Sequence, residues 1–584
     1  MTTTGFYEFG PFRLDAARLV LFRGGKRVPL PPKAAELLAV LVEARGNPVG
    51  KEELFQRVWA DTVVEEGSLT SHVSVLRKAL GQSMDGNSFI ETIPKRGYRF
   101  VGQVTESRQP GAPFQAAERI MLAVLPFENL SGSAKHDYFS EGITEEMITQ
   151  LAQLSPERLG VIARTSAMQY RSSAKSIRQV GRDLGVAYVL EGSVRRAGHR
   201  VRIAAQLIQV SDETHLWADS YERRLGDILA LQGEVAQSIA REIKIKLTPA
   251  ERVRLTGVSK VEPQAYESYL QGRYLLNQRT LEGLQKSIRF FHQAIERDAH
   301  CAVAYTGLAD AYLTLSDLGH LATREAAKNA KSAAGKALRI QETLAEAHSA
   351  LAHAYFHEFN WLASEREFKH AIKLNPNYAN ARFYYANYLV ALGRMEGAFV
   401  EARSAQTLDP ASLPTGTNVA SILYYCGRYS EAAEQSLRVL DMDPAFAKAH
   451  EDLGRVYLQQ RMYQQAIVAF QKAIACSGRS SRYVASLGHA YAVAGNQVEA
   501  LKLLQELKET AKDRFVSPCA FALVFAGLGD KGQTFGWLAK AYRERDGALP
   551  FLKVNPGLAL LRSDRRFLDL VRRMKFPIER DFDR

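Results

Sequence analysis

Residues 67–100 read GSLTSHVSVLRKALGQSMDGNSFIETIPKRGYRF, and this stretch decides the fold of the N-terminal part of the chain. Its first half places Leu69, Val73, Leu76 and Leu80 at the spacing of one helix face. Gly81 follows, at the position where a left-handed residue commonly ends a helix. The pattern therefore predicts an amphipathic helix that ends at this glycine.

The second half predicts a β-hairpin, because residues 89–93 and 98–101 are strand-like and flank the turn-forming run 94–97. A helix with small polar residues on its free face can enter a DNA major groove. A hairpin with cations at its tip can reach the backbone or the minor groove. We therefore predict ten DNA-binding residues on these two elements. They are Ser68, Ser71, His72, Ser74, Val75, Arg77, Lys78, Lys95, Arg96 and Arg99.

Charge favours the same surface, since residues 67–101 carry five cations against two carboxylates. Arg77 and Lys78 suit phosphates, whose neutralisation makes affinity depend on salt. Ser71, Ser74 and Val75 would meet base edges, and Val75 can touch a thymine methyl group. The whole chain of 584 residues has a net charge of +13, which is compatible with a polyanionic partner such as double-stranded DNA.

The residues before this stretch predict a small sheet and two more helices. Four short strands lie within residues 5–30, a helix starts near Pro31 and Pro32, and a second helix covers residues 51–58. Residues 5–103 resemble the winged-helix DNA-binding domain of OmpR/PhoB response regulators and ToxR/CadC regulators. The resemblance is carried, in the family's order, by residues 30–33, 37–38, 54–59, 69, 72–73, 76–80, 90–93 and 96–100. It implies that the third helix lies in the major groove and that the wing touches the flanking minor groove.

Residues 104–117 are polar, contain two prolines and predict a linker after a DNA-binding domain of residues 1–103. In ToxR/CadC-type regulators a membrane helix tends to follow, and no such run follows here, so we expect no membrane contact. The N-terminus lacks signal-peptide features, and the four cysteines show no CxxC spacing. We therefore expect a reducing, cytoplasmic location.

Residues 118–250 predict a central α/β domain. The apolar run at 120–125 is typical of a buried strand, and a hairpin is predicted to turn at Gly198. Segments including residues 122–132 and 138–154 resemble the TolB-like domain, which occurs between a signalling or DNA-binding head and a repeat tail in many bacterial regulators and class III adenylate cyclases. The resemblance implies no known catalysis.

An acidic group on one helix of this domain, formed by Asp137, Glu141, Glu145 and Glu146, suggests catalysis at first sight. Its helical spacing favours charges in the first turn that interact with the helix dipole instead. No histidine lies beside a nucleophile, and no GxSxG motif is present. We therefore predict no catalytic residue, no enzyme activity and no cofactor.

The tail has a 34-residue period, which is seen in the spacing of Pro376, Pro410 and Pro444. That period is typical of tetratricopeptide repeats. We predict an all-α solenoid over residues 263–546, capped by residues 547–584, with a concave surface for a protein or peptide partner. Helix pairs are predicted to begin near Gln264, Ala302, Leu344, Tyr378, Ser412, Phe446, Arg482 and Arg514.

Two histidines of the tail, His353 and His357, lie one helical turn apart. The sequence shows no acidic or thiol partner at ligand spacing, so no metal site is predicted.

These features predict a multidomain protein with an α+β winged helix-turn-helix, a central α/β (TolB-like) domain and an all-α solenoid. The first functional hypothesis is a one-component transcriptional regulator that binds promoter DNA as a homodimer and contacts RNA polymerase, with the other two domains sensing a signal or partner. The alternative is a signalling scaffold or adaptor whose winged head and solenoid bind proteins.

Overall fold

The structure, a computed structural model, describes residues 6–10, 12–15, 20–23, 26–28, 30–44, 46–59, 66–81, 88–94, 96–102, 104–107, 119–133, 136–171, 173–245, 248 and 262–577. The chain forms two compact units, Met1–Phe114 and Gln115–Arg584. Among the helices of the described residues, none combines the length and apolar character needed to cross a bilayer.

The first unit contains two small sheets and three helices. Its elements are β1 (Phe6–Phe9), β2 (Phe12–Asp15), β3 (Val20–Arg23), β4 (Lys26–Val28), α1 (Pro32–Glu43), β5 (Val49–Gly50), α2 (Lys51–Val58), α3 (Glu66–Leu80), β6 (Ile90–Ile93), β7 (Gly97–Phe100) and β8 (Thr105–Ser107). One sheet has the order β4-β3-β2-β1-β8 and the other β5-β7-β6. The strand β8 falls within the segment that the sequence predicts as a linker, and it pairs with β1.

The core of this unit forms around α1 and α3. The apolar stripe of α3 is almost fully buried, with Leu69, Val73, Leu76 and Leu80 at 2% exposure or less. Gly81 has a φ of +67°, and its N–H donates to the Arg77 carbonyl, so the predicted stripe and helix end are confirmed. The first sheet packs on the base of the wing, where the rings of Phe9 and Phe100 lie 4.9 Å apart.

The second unit begins with a mixed sheet covered by helices. Its elements are β9 (Ile120–Val124), β10 (Glu128–Asn129), α4 (Asp137–Ala152), β11 (Leu159–Val161), α5 (Arg164–Ala167), α6 (Ile177–Leu184), β12 (Tyr188–Ala197), β13 (Arg200–Gln209), β14 (His215–Arg224) and α7 (Ile228–Glu242). The sheet order is β11-β9-β12-β13-β14, with β10 beside β12. Strands β11, β9 and β12 are parallel, whereas β12, β13 and β14 are antiparallel. Gly198 turns the predicted hairpin with a φ of +60°.

A helical solenoid completes this unit. Its helices are α8 (Pro263–Asn277), α9 (Leu281–Arg297), α10 (Ala302–Asp317), α11 (Thr323–Ile340), α12 (Ala345–His357), α13 (Trp361–Leu374), α14 (Ala379–Leu392), α15 (Met395–Leu408), α16 (Leu413–Tyr425), α17 (Tyr429–Met442), α18 (Ala447–Gln459), α19 (Tyr463–Cys476), α20 (Ser481–Val493), α21 (Gln497–Asp513), α22 (Pro518–Gly527), α23 (Lys531–Glu544) and α24 (Arg565–Arg573). Helices α8 to α23 form successive pairs that begin close to the predicted positions. The last pair starts at Pro518 rather than near Arg514.

The solenoid holds the central sheet domain through two inter-repeat loops. Asn377, before α14, donates to the carbonyls of Ala152 and Leu159 at 2.8 and 2.9 Å. Asp409, before α16, accepts hydrogen bonds from the Ser166 N–H at 3.0 Å and the Ser166 hydroxyl at 2.6 Å. We call these two contacts the loop anchors. They join the sheet domain and the solenoid within one compact unit.

Candidate nucleic-acid interface

The outer face of α3 presents a continuous stripe of exposed side chains. Ser71, Ser74, Val75 and Lys78 follow the i, i+3, i+4, i+7 spacing of one helix face, and all four are exposed. Val75 is 37% exposed although it is apolar. The stripe therefore presents two hydroxyl groups, the two methyl groups of a valine and one ammonium group on a helix whose opposite face is buried.

Thr70 is also exposed on this helix and is absent from the predicted set. It precedes Ser74 by four residues, so the helical spacing alone would have indicated that it borders the stripe.

Two of the predicted residues, Ser68 and His72, are half-buried near the start of α3. The Nδ1 atom of His72 lies 2.8 Å from the Ser68 carbonyl oxygen. Its ring meets the indole of Trp59 edge-on, with centroids 5.4 Å apart. The contact with Trp59 connects α3 to the residue that follows α2, so His72 helps to position the helix.

Arg77 links the helix to the wing. Its Nε and Nη2 atoms donate to the Ile90 carbonyl at 3.0 and 2.9 Å, and Nη2 also donates to the Thr92 hydroxyl at 2.8 Å. The guanidinium therefore fixes β6 against the C-terminal turn of α3, which sets the angle between the two elements.

The cations of the wing differ in their surroundings. Arg99 pairs with Glu91 on the opposite strand, with 2.5 Å between Nη2 and Oε2. Arg96 is exposed at the turn, and within the described residues neither Arg96 nor Lys78 has an ion-pair partner. Lys95 lies outside the described residues. Lys78 belongs to the stripe on α3 and Arg96 to the turn of the wing, so each of the two elements carries one of these cations.

The acidic group on α4 forms ion pairs and hydrogen bonds within the sheet domain and with the solenoid. Only Asp137 lies in the first turn of α4, so the helix-dipole interpretation is wrong for Glu141, Glu145 and Glu146. Glu141 pairs with Arg164 at 2.7 Å, and Glu145 pairs with Arg273 of the first solenoid helix. The four carboxylates therefore have structural partners on neighbouring elements.

Glu146 accepts a hydrogen bond from the Tyr269 hydroxyl at 2.9 Å. Burial raises the pKa of Glu146 to about 7, which the Tyr269 hydrogen bond opposes and the Glu145 charge reinforces. This carboxyl therefore titrates close to neutral pH at the boundary with the solenoid.

The histidine pair of the tail does have an acidic neighbour. Asp317, at the end of α10, places Oδ1 3.8 Å from Nε2 of His353 on α12. The prediction that these histidines lack an acidic partner is wrong, because the carboxylate comes from the preceding helix pair rather than from nearby in the sequence. Burial lowers the pKa of both His353 and His357 to about 3, and for His357 the neighbouring His353 adds to that effect.

Three family models match parts of the chain. Residues 25–100 match the C-terminal domain of transcriptional regulatory proteins, residues 118–239 match the second domain of HilA/YgeH-like transcriptional regulators, and residues 420–481 match a tetratricopeptide repeat.

Individual relatives agree with these matches. The transcriptional regulator HilA of Salmonella typhimurium is 28% identical over 409 residues, which are 69% of this chain and 71% of HilA. The transcriptional activator CadC of Escherichia coli is 32% identical over 106 residues, 18% of this chain and 20% of CadC. A Rhizobium meliloti protein named as a candidate adenylate cyclase is 42% identical over 202 residues, 35% of this chain and 34% of that protein. The match thus spans about a third of the Rhizobium protein's length.

The chain therefore carries an OmpR/PhoB-type transcriptional regulatory domain, a HilA-like regulator domain and tetratricopeptide repeats, and it is a homologue of the transcriptional regulators HilA and CadC.

Proposed function

We propose that this protein is a one-component transcriptional regulator that reads promoter DNA with α3 in the major groove and the wing at the flanking backbone or minor groove. The observation that carries the proposal is the exposed stripe of Ser71, Ser74, Val75 and Lys78 on a helix whose other face is buried. Small side chains allow the helix backbone close to the base edges, where hydroxyls and methyl groups discriminate between bases.

The phosphate contacts are assigned mainly to Lys78 and Arg96, because these exposed cations have no ion-pair partner within the described residues. Arg77 and Arg99 contribute mainly by holding the wing in position, since Arg77 donates to the Ile90 carbonyl and Arg99 pairs with Glu91. Ser68 and Lys95 remain proposed contacts, and His72 helps to position α3 through its contact with Trp59. Each phosphate that the protein neutralises releases counterions and steepens the salt dependence of binding.

The second unit is proposed to receive the signal. The sheet domain, which we assign to the TolB-like class, is held to the solenoid by the loop anchors. A protein or peptide bound to the solenoid would therefore act on both parts together. We propose that this regulation occurs in the cytoplasm, without catalysis, and changes how two copies of the protein pair on DNA or contact RNA polymerase.

The proposal is tested on the full-length protein with a random-sequence duplex library, followed by salt titration of one selected duplex. Lys78→Ala and Arg96→Ala should each weaken binding to all duplexes. Each should also reduce the slope of log affinity against log salt by about 0.9 for every phosphate that is no longer neutralised. Ser74→Ala and Val75→Ala should instead change which sequences are selected.

The matched control is Lys286→Ala, which removes one positive charge from an exposed site on the solenoid helix α9. Its affinity and salt slope should equal those of the unmodified protein. If all four interface variants also behave like this control, the DNA proposal is wrong.

A second candidate function is a protein-binding adaptor, and the ion pair between Arg99 and Glu91 favours it because that pair leaves less free positive charge on the wing. An adaptor predicts duplex binding that is weak, independent of sequence and unaffected by the variants on α3.

A further inference from the structure

Three potential ligand side chains converge between consecutive repeats of the solenoid. Asp317 ends α10, and His353 and His357 lie one turn apart on α12. One carboxylate oxygen and one nitrogen from each ring lie within 4.8 Å of one another, and within the described residues no other group of three such side chains converges in this way. The convergence is independent of the winged helix and of the DNA proposal.

The imidazole rings of His353 and His357 direct their Nε2 atoms toward each other. The Nε2 atoms of His353 and His357 are 3.0 Å apart, and Asp317 Oδ1 is 3.8 Å from Nε2 of His353. Ligands of a tetrahedral zinc ion are about 2.0–2.2 Å from the metal, so neighbouring ligand atoms are a little over 3 Å apart. The observed separations therefore need only small side-chain movements to reach ligand geometry.

We propose that Asp317, His353 and His357 form a binding site for a divalent transition-metal ion of the Zn²⁺ type, with one coordination position left open. Two imidazole nitrogens and one carboxylate are a ligand set that Zn²⁺ accepts in three-ligand sites. The histidines are buried, whereas Asp317 is exposed, so the ion would enter and keep its open position on the Asp317 side.

Neighbouring groups support the ligands in different ways. The Tyr384 hydroxyl on α14 donates to the second oxygen of Asp317 at 3.1 Å, and its ring stacks on His353 with centroids 4.1 Å apart. These contacts orient one ligand and one ring from the next repeat. The Nδ1 atoms of the two histidines have no hydrogen-bond partner within the described residues. We therefore expect an affinity roughly 10–100-fold weaker than that of a site with complete outer hydrogen bonding.

The site would connect three consecutive repeats, because its ligands and their support come from α10, α12 and α14. An ion bound there would restrict bending between these repeats.

The test uses the full-length protein carrying no histidine tag, stripped with a chelator and titrated with Zn²⁺ against a chromophoric competitor. We expect one ion per chain, and Co²⁺ in its place should give the intense visible absorption of a tetrahedral site. Asp317→Asn, His353→Gln and His357→Gln should each lower the Zn²⁺ affinity by at least about tenfold. Asp317→Asn is the most informative variant, because it changes an exposed group and keeps the shape of the side chain.

The control is His348→Gln on the same helix. His348 is buried like His353 and His357, but its ring nitrogens contact Glu367 and the Glu342 carbonyl at 2.6 and 2.9 Å. This variant should bind Zn²⁺ like the unmodified protein. Absence of one-to-one binding, equal binding by Asp317→Asn, or a thiolate-to-cobalt charge-transfer band that indicates cysteine ligands would each overturn the proposal.

Discussion

Gly97 lies where the return strand of the wing passes over β5. It has a φ of +154°, and a Cβ atom at this position would be 2.0 Å from the carbonyl oxygen of Val49. That oxygen belongs to the backbone pairing between β5 and β7 and cannot move aside without disrupting the pairing. Glycine at this position therefore permits the wing to join the second sheet.

Gly97→Ala should destabilise the first unit by roughly 2–4 kcal/mol, because the added methyl group forces strand β7 away from β5. Differential hydrogen exchange of the wing amides measures the change. The control is Gly67→Ala, within α3 and with no atom within 4 Å of the new methyl group, which should be neutral or slightly stabilising. Equal protection in both variants would contradict the strain argument.

Glu146 gives the second unit a specific pH dependence. Burial raises its pKa from 4.5 to about 7 in the folded protein, so the folded state holds a proton that the unfolded chain releases earlier. The free energy of unfolding should therefore fall as pH rises from about 4.5 to about 7.

Glu146→Gln removes this term and should make the second unit more stable than the unmodified protein at about pH 8, by at most about 3 kcal/mol, with little difference below about pH 4.5. Unfolding midpoints measured across this range give the comparison. Glu434→Gln, at an exposed surface pair with Arg438, should retain the original pH slope. If the stability of Glu146→Gln depends on pH as steeply as that of Glu434→Gln, Glu146 does not carry a proton in the folded state near neutral pH.

The residues of the interface show what sequence can and cannot predict. The buried stripe of α3 depends on a local helical period, so it was predictable. The contacts of Arg77 with Ile90 and of Arg99 with Glu91 depend on how the wing folds back and on strand register, which composition does not encode. Asp317 was missed for a related reason, since its distance from His353 is set by packing between repeats.

At the scale of elements, the loop anchor at Asp409 makes a buried contact between α5 and the solenoid. Both the backbone and the hydroxyl of Ser166 donate to one oxygen of Asp409. Asp409→Ala should destabilise the second unit by about 1–3 kcal/mol, because the Ser166 N–H would be left buried without an acceptor. Thermal unfolding of the second unit measures the destabilisation.

The comparison for this prediction is Asp441→Ala, at the end of α17, for which no large effect is expected because the residue is not buried. A similar decrease in stability in both variants would mean that the anchor contributes little. Pro410, which belongs to the 34-residue period, lies in the same loop between α15 and α16, but the docking role of Asp409 had no sequence signal.

The whole molecule should unfold in two steps. Each unit has its own hydrophobic core, and the core around α1 and α3 draws only on residues of the first unit. Calorimetry should therefore show two transitions. Gly97→Ala should lower the temperature of the first unit's transition only, and Asp409→Ala should lower the temperature of the second unit's transition only. A single transition shifted by both variants would indicate that the two units unfold together.

The order of the domains was predictable because each has a different sequence pattern. The winged-helix domain shows short alternating strands, the sheet domain a mixture of strand and helix patterns, and the solenoid a 34-residue repeat. The division into two units did not follow, because it depends on the long-range contacts that join the sheet domain to the solenoid.

Tandem arrays commonly gain or shed whole units through recombination between similar stretches of a gene. Here Asn377 and Asp409 lie in successive loops between repeats, and both bind the sheet domain. Among the described residues, Ala411 is the last solenoid residue that forms a hydrogen bond with the sheet domain. An extra repeat inserted before Asp409 would displace at least one of the loop anchors, whereas repeats added after Asp409 would leave both anchors unchanged. The Trp361 indole N–H also donates to the Met574 carbonyl at 2.8 Å, so a repeat added after Asp409 would separate that pair, and the number of repeats is therefore expected to be fixed.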